Sequence, residues 1–514
     1  MANRAVQIGP AVALGLTVAA LILGSAAMVA LRADAFALAP ADWAALRFTL
    51  LQAALSAALS TALAIPVARA LFRRRFWGQA ALIRLMSAPF VLPVVVAVLG
   101  LLAVFGRAGP INTALDALGL PPLSIFGLHG VVLAHVFLNL PLATRMILHG
   151  WQSIPAERFR LAQALGLPPS AQFRHLEAPM LRAQLPGIAA VIFLICLTSF
   201  AVALTLGGGP KSSTIELAIY QALRFEFDLG RAALLALLQF TLCAVVTLAS
   251  VRLTLPQAFG AGLGRQGDMP APKGWRQGVD GVAILLAALF LLLPLLAVVA
   301  KGLPGLDNLP AAVWPSALRS SIVATVSAAL AITVALTMAQ AVARGAHRWL
   351  ELSAMLPLSA SGLVLGTGLF LALRPHVNPE PLALPVTILV NATLTLPYLF
   401  RLLLPEARQL HADYARLTES LGLPPRTILR HITLPRLARP LGFGTGLAAA
   451  LSMGDLGVIA LFAGDRGATL PLVVQRLVGA YRMEAAAATA LVLVALSFAL
   501  FWAFDRIGSR YADA

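Results

Sequence analysis

Asp455 sits inside an apolar run, Leu447 to Phe462, where carboxylates are rare. An acid placed in hydrocarbon is costly and marks a pathway unless a neighbouring helix ties it down. Its chemistry would be charge pairing with a cation; the alternative is a hydrogen-bonded carboxylate that fixes packing. Glu216 and Tyr220 are four residues apart and share a helical face beside the Gly207–Pro210 turn. They suit a gate or a contact for a partner protein, or else a re-entrant interfacial helix with an aromatic belt residue. Asn139 and Asn391 each precede a Leu-Pro pair, where an amide can line a path or bond the carbonyl that a proline frees. None of this is catalytic. The histidines show no zinc spacing, and there is no Ser-His-Asp arrangement or working pair of carboxylates. Cys196 and Cys243 lie in apolar runs and read as small buried residues, without a disulfide framework. The expectation is a chain that handles a solute, holds no metal or cofactor, and is not an enzyme.

These residues need apolar elements to hold them. Of 514 residues 60% are hydrophobic and 11% charged, and the mean hydropathy is +0.87. A soluble domain carries roughly 25% charged residues, which excludes a cytosolic enzyme, a disordered chain and a secreted binding module. A helix crosses a bilayer with about 20 apolar residues. Windows of that length lie near 10–31, 46–71, 81–105, 127–149, 184–206 and 230–253. Six more lie near 281–300, 317–342, 350–373, 384–404, 441–463 and 485–505. The reading is an all-α polytopic membrane protein of about 12 transmembrane helices. Two homologous six-helix halves, 1–254 and 281–514, flank a polar cytoplasmic linker, 255–280. The first window is long for a signal peptide, although Ala35-Phe36-Ala37 resembles a cleavage site, so it is read as an uncleaved span.

The formal charge of +17, from 38 Lys and Arg against 21 Asp and Glu, would suggest nucleic acid in a soluble protein. Here the positive residues gather in alternate loops. Arg69, Arg73, Arg74, Arg75 and Arg84 surround the second connection; Arg145, Arg158, Arg160, Arg174 and Arg182 surround the fourth. Further arginines run from Arg401 to Arg439. The positive-inside rule places these loops and both termini in the cytoplasm and removes the case for a nucleic-acid partner.

The halves repeat at an offset of 256 residues. Leu140-Pro141 matches Leu396-Pro397, Arg145 matches Arg401, and Leu165-Gly166-Leu167-Pro168-Pro169 recurs as Leu421-Gly422-Leu423-Pro424-Pro425. The register continues through Ser199 against Asp455 and Gly208 against Gly464, with Phe200 beside Ser199 in the first copy. An even number of spans between copies gives both the same orientation, so the pseudo-twofold axis lies along the membrane normal. A path for a solute would lie between them. The best-matched stretches, 156–179 and 412–435, are loops. Leu161, Ala164 and Leu165 share a helical face in one, and Leu417, Ser420 and Leu421 share it in the other. Gly166 and Gly422 suit the left-handed position past a helix end, and the proline pair forbids continuation. A second short helix then runs to Pro179 or Pro435. Two short helices meeting at a glycine make a knob, and a duplicated knob asks for a duplicated partner.

These loops resemble the EAA loop of ABC-transporter inner-membrane permeases of the binding-protein-dependent import class, a pattern of Glu-Ala-Ala, three residues, Gly, and later Ile-x-Leu-Pro. The second copy carries Gly422 and Ile432-Thr433-Leu434-Pro435, and the first carries Gly166 and Leu176-Glu177-Ala178-Pro179. The Glu-Ala-Ala positions read Arg160-Leu161-Ala162 and Arg416-Leu417-Thr418, so neither half keeps the glutamate. Longer strings, among them Leu133 to Pro141, Thr214 to Leu223 and Leu451 to Phe462, are similar to the fused permeases of thiamine and thiamine pyrophosphate importers. The resemblance implies alternating access in the bacterial inner membrane, driven by two copies of a cytoplasmic ABC ATPase subunit docked on the loops. A periplasmic solute-binding protein would deliver the cargo. ATP-Mg would sit on the partner, since this chain has no G-x-x-x-x-G-K-[ST] string. Alternatives are an importer permease for ferric iron or another small solute, and an ion-coupled secondary carrier, which would need several intramembrane carboxylates.

Overall fold

The computed structural model describes residues 2–33, 37–86, 91–209, 212–250, 274–464 and 467–513, all helix or connection. The first set of helices is α1 (Ala2–Arg32), α2 (Pro40–Arg73), α3 (Gln79–Leu85), α4 (Val94–Phe105), α5 (Pro110–Ala117), α6 (Leu128–Gln152), α7 (Ala156–Ala164), α8 (Pro169–Gln172), α9 (Ala178–Leu197), α10 (Ala201–Leu206), α11 (Ile215–Gln221) and α12 (Leu229–Ser250). The second is α13 (Trp275–Gly302), α14 (Val313–Ala343), α15 (Arg348–Met355), α16 (Gly362–Leu373), α17 (Ala383–Ser420), α18 (Pro425–Ile428), α19 (Leu434–Arg436), α20 (Ala438–Met453), α21 (Gly457–Phe462), α22 (Leu470–Gly479) and α23 (Met483–Asp513). Among the described residues eleven helices are long and apolar enough to cross a membrane, or twelve if one bent pair counts as a span. The polar linker falls mostly outside the described residues, but α13 begins at Trp275, ahead of the expected span start at 281.

The third apolar window of each half is not a continuous helix. The window 81–105 divides between α3 and α4, with Pro93 in extended backbone immediately before α4. The window 350–373 turns through 94° between its two helical parts. Pro357 tightens the end of the first part, and Ser361 starts the second by accepting the Val364 N–H at 3.1 Å. Both breaks fall at the same place in their half. They also correct the repeat. Val94 and Gly362, the first residues of α4 and α16, lie 268 apart, whereas the later helices keep the 256 offset. The difference is taken up between the fourth element and the next long helix. Residues 106–127 connect α4 to α6 and include α5, while only 374–382 connect α16 to α17.

The first helix of each half packs against the other half. Gly368 of α16 lies so close to Ser25 of α1 that a Cβ there would stand 2.6 Å from the serine Cβ. Gly100, the equivalent residue of α4, lies as close to Pro294 of α13, with a Cβ falling 2.6 Å from the proline carbonyl oxygen. In a bilayer, helix association depends on close van der Waals approach, and small residues permit it. Gly100→Val and Gly368→Val are each expected to destabilise by about 1–3 kcal/mol, the usual cost of overpacking. A lowered melting temperature of the detergent-solubilised chain would register it; an unchanged one would show that the backbones can separate freely.

Candidate functional site: paired knobs and a cavity between the halves

Each knob is built by local rules. Gly166 and Gly422 have φ of +64° and +57°, the left-handed conformation that glycine enters without strain. Leu167 N–H donates to the Ala162 carbonyl at 3.0 Å and Leu423 N–H to that of Thr418 at 3.1 Å, while Gly166 and Gly422 donate to Gln163 and Glu419. This six-to-one plus five-to-two pattern closes a helix C-terminus. Leu161 and Leu165 are 60% and 65% exposed, and Leu417 and Leu421 50% and 61%. Arg160 and Arg416 are exposed beside them, whereas Ala162 turns inward and is buried.

The knobs differ from the expected pair of short helices in two ways. In the first half Pro155 separates α6 from α7; its counterpart is His411, which has a backbone N–H, so α17 runs unbroken for 38 residues into the knob. The second helix of each knob also does not stop at the proline. It widens into one π-turn, Phe173–Glu177 or Leu429–Thr433, and continues toward the next span. Ala178 N–H donates to the Phe173 carbonyl and Leu434 N–H to the Leu429 carbonyl, five residues back.

Below the first knob is a cluster that the sequence reading missed. The Glu177 side chain is 0% exposed and accepts from Arg69 at 2.7 and 2.9 Å, from Arg73 at 3.4 Å and from Trp151 Nε1 at 3.2 Å. Arg74 meets Asp280 of α13 at 3.2 Å. At the 256 offset Glu177 and Trp151 become Thr433 and Ala407. Counted back from the helix ends, Arg69 and Arg73 become Ala339 and Ala343. At these positions the second half carries no charged residue, and this asymmetry in the repeat was the visible signal.

Between the halves lies a cavity of about 830 Å³. Asn139, Ser199, Phe200, Glu216, Asn391 and Asp455 all line it. Tyr220 stands behind, its ring edge-on to Phe200 at 5.2 Å. Spans five and eleven both break here. The break after α9 covers Thr198–Phe200, and the break after α20 covers Gly454–Leu456, in identical register. Irregular backbone at membrane depth is tolerated where it lines a cavity; the hydropathy windows had read straight across both breaks.

One turn apart on α6, His135 and Asn139 line the cavity, and their equivalents on α17, Asn391 and Thr395, do the same. Asn139 Nδ2 donates to the His135 carbonyl at 2.8 Å and Thr395 Oγ1 to that of Asn391 at 2.9 Å. Asn391 Nδ2 donates to Ser452 Oγ at 3.0 Å. The two asparagines thus bind other partners than the carbonyls freed by Pro141 and Pro397. Asp455 lies near the N–H groups of Gly457, Val458 and Ile459 and the amide of Asn391.

The helix carrying Glu216 is also seated by a repeated contact. Thr49 Oγ1 accepts the Ile215 N–H at 2.9 Å, and Ser320 Oγ accepts the Leu470 N–H at 2.8 Å. Glu216 is 1% exposed and lines the cavity.

A many-helix bundle with one knob per half and a shared central cavity defines a polytopic transport permease. A family model described as "Binding-protein-dependent transport system inner membrane component" matches residues 272–513. The chain belongs to the thiamine transport system permease family, within that class of multi-pass inner-membrane components. It is 41% identical over 489 residues to the thiamine transport system permease protein ThiP of Salmonella typhimurium, covering 91% of this chain and 90% of that one. It is 38% identical over 495 residues to ThiP of Brucella abortus, covering 92% and 89%. The molybdenum transport system permease protein ModB of Mycobacterium bovis is 32% identical over 213 residues, 41% of this chain and 78% of that one.

Proposed function

We propose that this chain is the transmembrane permease subunit of an ATP-driven importer for thiamine and thiamine pyrophosphate. The observation that carries the cargo reading is the similarity to permeases named for thiamine transport along about nine tenths of both chains, 91% and 90%. The coupling reading rests on the two knobs. Each offers an exposed leucine pair ringed by arginine, an apolar face with a basic rim suited to a groove on a soluble subunit. Two copies of a cytoplasmic ABC ATPase dock there, one per knob, and hold the ATP-Mg; the permease binds no cofactor. The knob end and both termini face the cytoplasm, and a periplasmic binding protein delivers cargo at the opposite end. Closure of the ATPase pair draws the knobs together, and the halves rock about the central cavity, opening it first outward and then inward.

Reconstitution with the cognate ATPase and binding protein tests this. Labelled thiamine is expected to accumulate in proteoliposomes only when all three components and ATP are present. Accumulation of ferric iron or another solute, with none of thiamine, would reject the cargo reading.

A further inference from the structure

We propose that Glu216 and Asp455 together form a cradle for an organic cation inside the cavity, one carboxylate from each half of the chain. The inference deepens the thiamine reading and rests on it for the identity of the cargo, since thiamine carries a permanently charged thiazolium. It does not rest on that reading for the site itself. The geometry points to a cationic ligand through four observations.

First, both side chains line the same cavity, Glu216 from α11 and Asp455 from the break between α20 and α21. Second, both are left incomplete. Among the described residues neither oxygen of Glu216, nor Oδ2 of Asp455, has a hydrogen-bond donor. Ser361 and Gln239 stand beside Glu216, but neither reaches its carboxylate in hydrogen-bond geometry. A buried carboxylate without a partner is strongly penalised; a cation in the cavity would supply one to Glu216 and complete Asp455, which already has the N–H groups at the start of α21 and the Asn391 amide near it. Third, the repeat does not require these acids. Asp455 corresponds to Ser199, and the α22 residue corresponding to Glu216 is Pro471 when the helices are aligned on Ile215 and Leu470. A carboxylate needed for the shared architecture would recur in both halves.

Fourth, the cavity's own cations stand elsewhere. Arg348 and Arg401 also line it. Arg401 is ten residues along α17 from Asn391, the neighbour of Asp455, about 15 Å at 1.5 Å per residue. Arg401 thus stands toward the knob end of α17, away from the neighbour of Asp455. Phe200 lines the cavity, and an aromatic face attracts quaternary nitrogen in the same way.

The test uses the intact chain in detergent and follows its melting temperature, because a ligand that binds only the folded state raises it. Three probes are compared at about 10 mM, well above a weak dissociation constant: thiamine, choline, and 3,3-dimethylbutanol, which has the shape of choline without its charge. Thiamine and choline are expected to raise the melting temperature, the neutral isostere to leave it unchanged, and the double variant Glu216→Gln/Asp455→Asn to abolish the shift. Thiamine uptake by the reconstituted double variant is expected to fall at least tenfold. An equal shift with the neutral isostere, a full shift in the double variant, or undiminished uptake by it would each overturn the cradle. If the double variant does not fold, choline against its isostere on the unaltered chain still decides. A charge-dependent shift in a chain that imports no thiamine leaves the cradle standing and removes the cargo reading alone.

Discussion

Exchange of Glu177 for alanine is expected to lower the stability of the purified chain by about 3–5 kcal/mol, the range for removing one partner of a buried ion pair. The carboxylate is fully buried and gathers Arg69, Arg73 and Trp151. Without it the Arg69 guanidinium loses both of its carboxylate contacts, Arg73 loses one of its acidic neighbours, and an indole N–H loses its acceptor. Glu177→Gln keeps an acceptor for Trp151 and should fall between alanine and the unaltered chain. Replacing the pair as Arg69→Met/Glu177→Leu should recover the part of the loss that comes from Arg69, because apolar side chains of similar volume do not have to be desolvated, while Arg73 and the Trp151 N–H still lack the carboxylate. Thr433→Ala at the equivalent place in the second half should cost about 1 kcal/mol or less. Denaturation in detergent, followed by two probes, measures all four. A loss below about 1 kcal/mol for Glu177→Ala would place the cluster with exposed ion pairs, which contribute little.

Valine at Gly166 and Gly422 together should reduce ATP-driven uptake at least tenfold while the membrane bundle stays folded. At φ of +64° and +57° a side chain meets its own backbone, which costs roughly 1–2 kcal/mol per residue, and more for a β-branched one. No other atom lies within 4 Å of a Cβ built at either position, so the strain is confined to the knob. The last helical turn must then rearrange, and the exposed leucines beside it move out of place. Asparagine enters the left-handed region readily, so Gly166→Asn/Gly422→Asn should retain most of the uptake. Equal uptake by the valine and asparagine variants would disconnect this backbone geometry from transport.

Much of the knob was legible because it is local. A helix with an apolar face, a glycine and two prolines state their structure within a dozen residues, and the duplication made the pattern hard to miss. What separates the two knobs was legible too, in Pro155 against His411, but its result, a continuous α17, depends on reading one missing N–H. The broken spans were hidden because hydropathy averages over a window. Gly454 and Asp455 barely lower the mean of an otherwise apolar stretch, and Thr198-Ser199-Phe200 lowers it less. Glu177 looked like a charged loop residue since its partners lie 104 and 108 residues away. The close approaches at Gly100 and Gly368 were invisible for the same reason, being contacts between helices from opposite halves.

The exchanged first helices also bear on how the chain is made. Ser25 leaves the ribosome 343 residues before Gly368, the residue against which it packs. At about 5–20 residues per second the delay is roughly 20–70 s. Throughout that interval α1 can meet α12 of its own half but not α14 and α16, which also pack against it. The first half therefore cannot finish assembling when its own synthesis ends, and a ribosome that stalls in the second half leaves a membrane-inserted intermediate with one open flank, the form on which a quality-control protease would act.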